Sequence, residues 1–360
     1  MMQTERVSGP PPPIAFEEDP SAARARELNN RGALLHLEGK FEEARAEYEA
    51  ALNVDPRNAT ATNNLGYLLA QQGQLEEAVE RYRQALEFDP KKSMTFANLG
   101  VVQAALNQPA AALASLEQAV RLDPKNVLAW DNLARLLMTA GRFAEAEFAW
   151  RSALGVAPAE GGLYTALGAV VAAQQRIDEA AAILRQAVAL DPESAKAWTQ
   201  LGVVLLLRQD LGSAAEALER GLALAPDDHD ARQHLALVYL ARAQPAQAEQ
   251  ELERIVLRTT SADPFHLAAQ IDLAVIALSR GEWPGALARL DTVVKNDPEN
   301  ARAIFYRAMA LDRLDRAGEA TELMQELARN EGGKYADQAR QYLAQGNGNG
   351  LDDFAKASEN

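Results

Sequence analysis

The stretch from Asn63 to Pro90, N-N-L-G-Y-L-L-A-Q-Q-G-Q-L-E-E-A-V-E-R-Y-R-Q-A-L-E-F-D-P, decides the fold of this chain. Leu65, Leu68 and Leu69 stand at i, i+3 and i+4, which places them on one face of a helix. Leu75, Ala78, Tyr82 and Ala85 give a second helix its own apolar face. Gly73 lies between the two and predicts a left-handed cap that ends the first helix. Pro90 ends the second, because it lacks an N–H and pushes Asp89 out of the α region. The stretch therefore reads as a helical hairpin whose small residues, Gly66 and Ala78, let two backbones approach. Tyr82 fills the volume beside them.

One hairpin cannot bury such faces alone, and the rest of the sequence supplies its neighbours. The pattern returns every 34 residues. Gly32, Gly66 and Gly100 form one ladder, continued by Gly168 and Gly202, with Ala134 in the slot between. Ala44, Ala78, Ala112, Ala146, Ala180 and Ala214 form a second ladder. Pro56, Pro90, Pro124, Pro158, Pro192 and Pro226 form a third. A fixed period of this size predicts an all-α stacked-repeat array, in which each unit contacts its neighbours. Nine copies fit, at 25–58, 59–92, 93–126, 127–160, 161–194, 195–228, 229–262, 267–300 and 301–334. Copy seven has Thr260 in place of the proline, and Asp263 to His266 form an insertion, read as a longer turn. Residues 335–345 predict a capping helix with Tyr335, Ala339, Tyr342 and Leu343 on its apolar side. Residues 1–24 read as a proline-rich arm and 346–360 as a flexible tail. Ser21 is the expected cap of a first helix that starts near Ala22.

The copies resemble the tetratricopeptide repeat family. Copy four carries the match in Trp130, Leu133, Leu137, Gly141, Ala146, Trp150, Ala153 and Pro158, with Ala134 replacing glycine. Copy six carries it in Trp198, Leu201, Gly202, Leu205, Ala214, Leu218 and Pro226, with Gln209 and Gly221 as departures. The resemblance covers residues 25–334. It implies a right-handed superhelical solenoid whose first helices line a concave groove for protein partners.

Within the first helix of each copy, the resemblance makes the residue before Leu-Gly face that groove. The slot holds Asn30, Asn64, Asn98 and Asn132, then Ala166, Gln200, His234, Asp272 and Tyr306. A carboxamide offers both an acceptor and two donors, matching a peptide's C=O and N–H. A row of them grips an extended backbone with little regard for its side chains, or serves local hydrogen bonding. The row resembles the asparagine ladder in the repeat region of O-linked N-acetylglucosamine transferase. Asn29, Asn63, Tyr67, Asp131 and Arg135 accompany it. Farther along stand Val203, Leu206, Leu207, Leu237, Leu240, Ile271, Val275, Leu278, Phe305 and Met309. These predict an apolar subsite for an amphipathic helix beside a polar one for extended peptide. The two-carboxylate clamp known from chaperone-tail binders is disfavoured. Its first lysine slot holds Asn29, Asn63, Ala97, Asp131, Thr165 and Thr199.

Other functions find little support in the residues. The chain has no cysteine, which removes disulfides, thiol catalysis and cysteine-ligated zinc. None of its four histidines pairs with a second histidine at i, i+4 spacing, and no HExxH is present, so no metal or other cofactor is expected. Glu42-Glu43 and Glu76-Glu77 recur at starts of second helices, where they favour the helix dipole. No nucleotide-binding loop or nucleophile elbow is present, and no stretch outside the repeats is long enough for a catalytic domain. A net charge of −15 argues against nucleic acid. No run is apolar enough to span a membrane, and no signal-peptide pattern stands at the N-terminus, so a cytoplasmic protein is expected. The expectation is a non-catalytic scaffold or adaptor for protein partners. The alternative is a self-assembling structural component that polymerises through array ends or the apolar groove.

Overall fold

In the computed structural model, which describes residues 19–329 and 332–345, every regular element is a helix. The sequence reading of the proline-rich arm up to residue 18, and of the tail from residue 346, lies outside the described residues. Two units are distinguished, one ending at Pro158 and the other beginning at Ala159.

The first unit holds four hairpins. They are α1 (Pro20–Leu37) with α2 (Phe41–Val54), α3 (Ala59–Gln71) with α4 (Leu75–Phe88), α5 (Ser93–Ala105) with α6 (Pro109–Leu122), and α7 (Val127–Thr139) with α8 (Phe143–Val156). The second unit holds five more. They are α9 (Gly161–Ala173) with α10 (Ile177–Leu190), α11 (Ala195–Leu207) with α12 (Leu211–Leu224), α13 (His229–Ala241) with α14 (Pro245–Arg258), α15 (Pro264–Ser279) with α16 (Trp283–Asn296), and α17 (Ala301–Asp312) with α18 (Ala317–Ala328). A last helix, α19 (Lys334–Gln345), packs on α18 and α17. Within each unit a second helix packs on its own first helix and on the first helix that follows. Successive first helices also touch, so they form one continuous face per unit.

Local chemistry sets each joint. All nine first helices end on a residue with φ between 55° and 77°: Gly39, Gly73, Asn107, Gly141, Gln175, Gln209, Ala243, Gly281 and Asp315. The residue after it donates its N–H back across the end of the helix, as Gln74 does to the Leu69 carbonyl at 2.9 Å. That closes the orphan carbonyls of the first helix. Glycine marks only four of these nine positions, so the left-handed turn is imposed by the packing of the two helices wherever another residue stands there. At the other end, Asp89 leaves the α region at φ −134°, as Pro90 demands. After the equivalent joint at Asp55–Pro56, Asn58 Oδ1 caps α3 by accepting from the Ala61 N–H at 3.0 Å.

The glycine ladder marks the closest helix approach. A Cβ built on Gly202 would sit 2.5 Å from Leu218 Cγ, and one on Gly66 would sit 3.0 Å from the Tyr82 ring. Tyr82 is fully buried there, and burial, with neighbouring Tyr67 adding to it, pushes its hydroxyl pKa well above the ordinary value.

Two local expectations are corrected. Asp19, not Ser21, caps the first helix: Asp19 Oδ1 accepts from the Ser21 N–H at 3.0 Å, and α1 starts at Pro20. Proline at the first helical position has no N–H to satisfy and a preset φ, which moves the start upstream. The insertion at 263–266 is mostly helix rather than turn. Asp263 caps α15, and Pro264, Phe265 and His266 form its added first turn, giving 16 residues where other first helices of this unit have 12 or 13.

Candidate peptide-binding face

The asparagines of the first unit form a directed chain of side-chain hydrogen bonds across three first helices. Asn98 on α5 donates from Nδ2 to Asn63 Oδ1 on α3 at 3.3 Å. Asn63 donates to Asn64 Oδ1 at 3.2 Å, and Asn64 to Asn29 Oδ1 on α1 at 2.9 Å. Asn29 donates to Asn30 Oδ1 at 3.5 Å. Asn29 is buried, Asn63, Asn64 and Asn98 are half-buried, and Asn30 is exposed. Each bond uses one N–H of an amide that carries two, and one of the lone pairs of its oxygen. The chain therefore fixes the amide orientations while leaving donors and acceptors to spare.

Asn132 does not join this chain. Its natural acceptor would stand at position 97, where the sequence has alanine. Asn132 instead donates to the Leu128 carbonyl of its own helix at 2.9 Å. At the next position in that slot, Asp131 Oδ2 accepts from Arg135 Nε at 2.9 Å. Its Oδ1 accepts from Trp150 Nε1 at 2.7 Å, and Trp150 is fully buried.

Apolar side chains flank the amides. Tyr67 is 45% exposed and stacks on the His36 ring at 5.4 Å. Val101, at the same offset from Asn98 as Tyr67 from Asn64, is 42% exposed. Met94 and Leu128 are exposed on the same run of first helices. The sequence reading passed over these three, although the shared offset from the asparagine slot was a usable signal. The polar end of the face thus carries apolar surface as well.

The second unit reverses the expectation for much of its apolar set. Leu278, Phe305 and Met309, with Ile271, are core residues and offer little surface. The cause is the packing of α15 against α17 and of α19 over α17. Tyr335 of α19 lies 5.7 Å from the Phe305 ring and 6.2 Å from the Tyr306 ring. Val275 is half-buried against the same core. What remains open is Leu206 and Leu240, half-buried, with Leu207 and Leu237 exposed on α11 and α13. Among the described residues no group of His, Cys, Asp and Glu is placed to hold a metal ion. No described helix is long and apolar enough to cross a membrane.

Comparison with known proteins agrees with this architecture. A family model described as the cilia and flagella-associated protein 70 C-terminal domain matches residues 12–237. Two tetratricopeptide repeat models match residues 205–271 and 271–342. No curated protein matches the chain by sequence. Among solved structures, the APC/C hetero-tetramer Cut9–Hcn1 aligns with a TM-score of 0.56 at 19% identity, covering 79% of this chain and 55% of that one. The chain thus spans about half the length of that relative. The structure of pilF from Pseudomonas aeruginosa aligns with a TM-score of 0.52 at 20% identity, covering 62% of this chain and 98% of that one. At these identities the two structures speak for the fold. With matching models running from residue 12 to residue 342, the chain belongs to the tetratricopeptide repeat family, and residues 12–237 to the family described as the cilia and flagella-associated protein 70 C-terminal domain.

Proposed function

We propose that this chain is a non-catalytic scaffold that holds a segment of a partner protein on the first-helix face of its first unit. One observation carries the reading: the oriented run of Asn98, Asn63, Asn64, Asn29 and Asn30, with spare hydrogen-bonding groups beside exposed Tyr67 and Val101. Pre-oriented amides lose little freedom when a peptide backbone docks on them. Exposed apolar neighbours add contact area that the backbone bonds alone lack. The Cut9–Hcn1 relative is itself a hetero-tetramer, which supports protein binding by an array of this fold.

A photo-crosslinking residue at Tyr67, compared with one at Arg83 on the second helix of the same hairpin, tests this. Partner adducts are expected at Tyr67, and they should fade when Asn64→Ala and Asn98→Ala are combined. Adducts confined to Arg83 would place the partner on the other face and overturn the reading. The apolar strip of Leu206, Leu207, Leu237 and Leu240 supports a smaller second site for an amphipathic helix.

A further inference from the structure

We infer that a recess beside Arg135 receives the free C-terminus of a partner chain whose last side chain is apolar. The inference rests on the peptide-binding reading above and names the chemistry of one end of the bound segment. The recess lies among α5, α6 and α7 and has a volume of about 360 Å³. Val101, Ala104, Leu116 and Leu136 give it apolar walls, and Asn132 and Arg135 are among its polar groups.

Arg135 is held in a way that leaves its working edge open. Its Nε bonds to Asp131, and its side chain is 56% exposed. Neither Nη nitrogen has a partner among the described residues. Trp150 Nε1 anchors the other oxygen of Asp131, so the guanidinium is steered from a fully buried side chain. A guanidinium so oriented presents a fork of N–H groups that matches a carboxylate in two parallel bonds.

The apolar walls choose among carboxylates. In a C-terminal residue the carboxylate and the side chain leave the same Cα, so one residue fills both the fork and the recess. An internal Asp or Glu brings the charge without an apolar group. Asp131 already offsets much of the Arg135 charge, so the site suits one carboxylate rather than two. It therefore differs from the two-carboxylate clamp, whose lysine slot is occupied by Asn29, Asn63, Ala97 and Asp131 in this unit.

The test uses the full chain and two sets of immobilised hexapeptides of identical sequence, one ending in free carboxylates and one in carboxamides. Every residue type is sampled at the last position. Members ending in Leu, Ile, Met or Phe with a free carboxylate should bind about tenfold better than their amide twins, the scale of a charge-assisted hydrogen-bond pair. Arg135→Gln should remove that difference, Arg135→Lys should restore part of it, and Val101→Asp should abolish the preference for an apolar last residue. Circular dichroism checks that each variant keeps its helices, as exposed positions should. Equal binding of the two sets, strongest binding to internal Asp or Glu, or no binding to either set would overturn the inference. Equal binding that Asn64→Ala abolishes would remove the carboxylate receptor and leave the peptide-binding face standing. Absence of both array binding and Tyr67 crosslinks would remove both.

Discussion

Asn64 on α3 donates a side-chain N–H to Asn29 Oδ1 on α1 at 2.9 Å, and Asn29 is only 5% exposed. This bond ties two consecutive first helices together through groups whose residue type also suits a ligand. The same asparagines thus hold the helices together while Asn64 keeps hydrogen-bonding groups to spare.

Removing the buried member of that pair should be costly. Asn29→Ala leaves the Asn64 donor without its acceptor and is expected to cost about 1–3 kcal/mol. Asn30→Ala, at the exposed end of the chain, should stay within about 0.5 kcal/mol. A repeat array need not unfold in one step, so hydrogen exchange of α1 and α3 amides is the suitable measurement. Equal effects of the two substitutions would contradict the directed chain.

Positive φ at non-glycine residues offers a stabilising substitution. Ala243 holds φ 55° where four other hairpins place glycine. Ala243→Gly should stabilise the α13–α14 joint by about 1 kcal/mol, the scale of the left-handed penalty for a residue with a Cβ. Gly73→Ala should destabilise its own joint by a similar amount, although nothing lies within 4 Å of the new methyl, because φ there is 77°. Thermal melts of the two variants should shift in opposite directions.

Two glycines in one hairpin should respond with opposite signs. At Gly202 a methyl group would meet Leu218 Cγ at 2.5 Å and the Ala214 carbonyl oxygen at 3.2 Å. Gly202→Ala should therefore cost about 1–3 kcal/mol by overpacking. Gly212, in the first turn of α12, has nothing within 4 Å, so Gly212→Ala should stabilise by about 0.5–1 kcal/mol through helix propensity. Denaturation midpoints that move together would show that helix spacing in the α11–α12 hairpin is softer than the contacts imply.

A buried ion pair predicts a further asymmetry. Arg232 and Glu251 meet at 2.6 Å with side chains 7% and 10% exposed. Arg232 also donates to the Pro226 carbonyl, and Arg254 donates to Glu251. Glu251→Ala should cost about 3–5 kcal/mol, because it strands a buried guanidinium. The paired replacement Arg232→Met with Glu251→Leu should cost far less, since it removes both desolvated charges together. Calorimetry of the two variants separates these cases, and equal losses in the single and paired variants would contradict the account.

The period of 34, the helix faces and the small residues at close approaches were legible in the sequence, because each depends on neighbours within one hairpin or its copy. Gly73, Pro90 and Tyr82 announce their roles through local backbone limits and side-chain volume. The start of α1 was misplaced because Asp19 and Ser21 are both good caps, and only the folded geometry shows which carboxylate or hydroxyl meets a free N–H. The sequence reads the added turn of α15 as a longer turn between helices, because Asp-Pro marks a turn and a helix start equally well.

By itself, then, the sequence determined the repeat, the hairpin and the row of asparagines, since a fixed offset in a helical repeat puts equivalent residues at equivalent places. Tertiary structure alone decided which of those residues are surface. Phe305, Met309 and Leu278 share offsets with exposed Leu237 and Tyr67 or with half-buried neighbours, yet they are buried where α15, α17 and α19 close on one another. It likewise decided that Asn98 ends the amide chain and that Arg135 keeps an open edge. Burial and hydrogen-bond partnership depend on the distance between helices, which residue identity at one position does not specify.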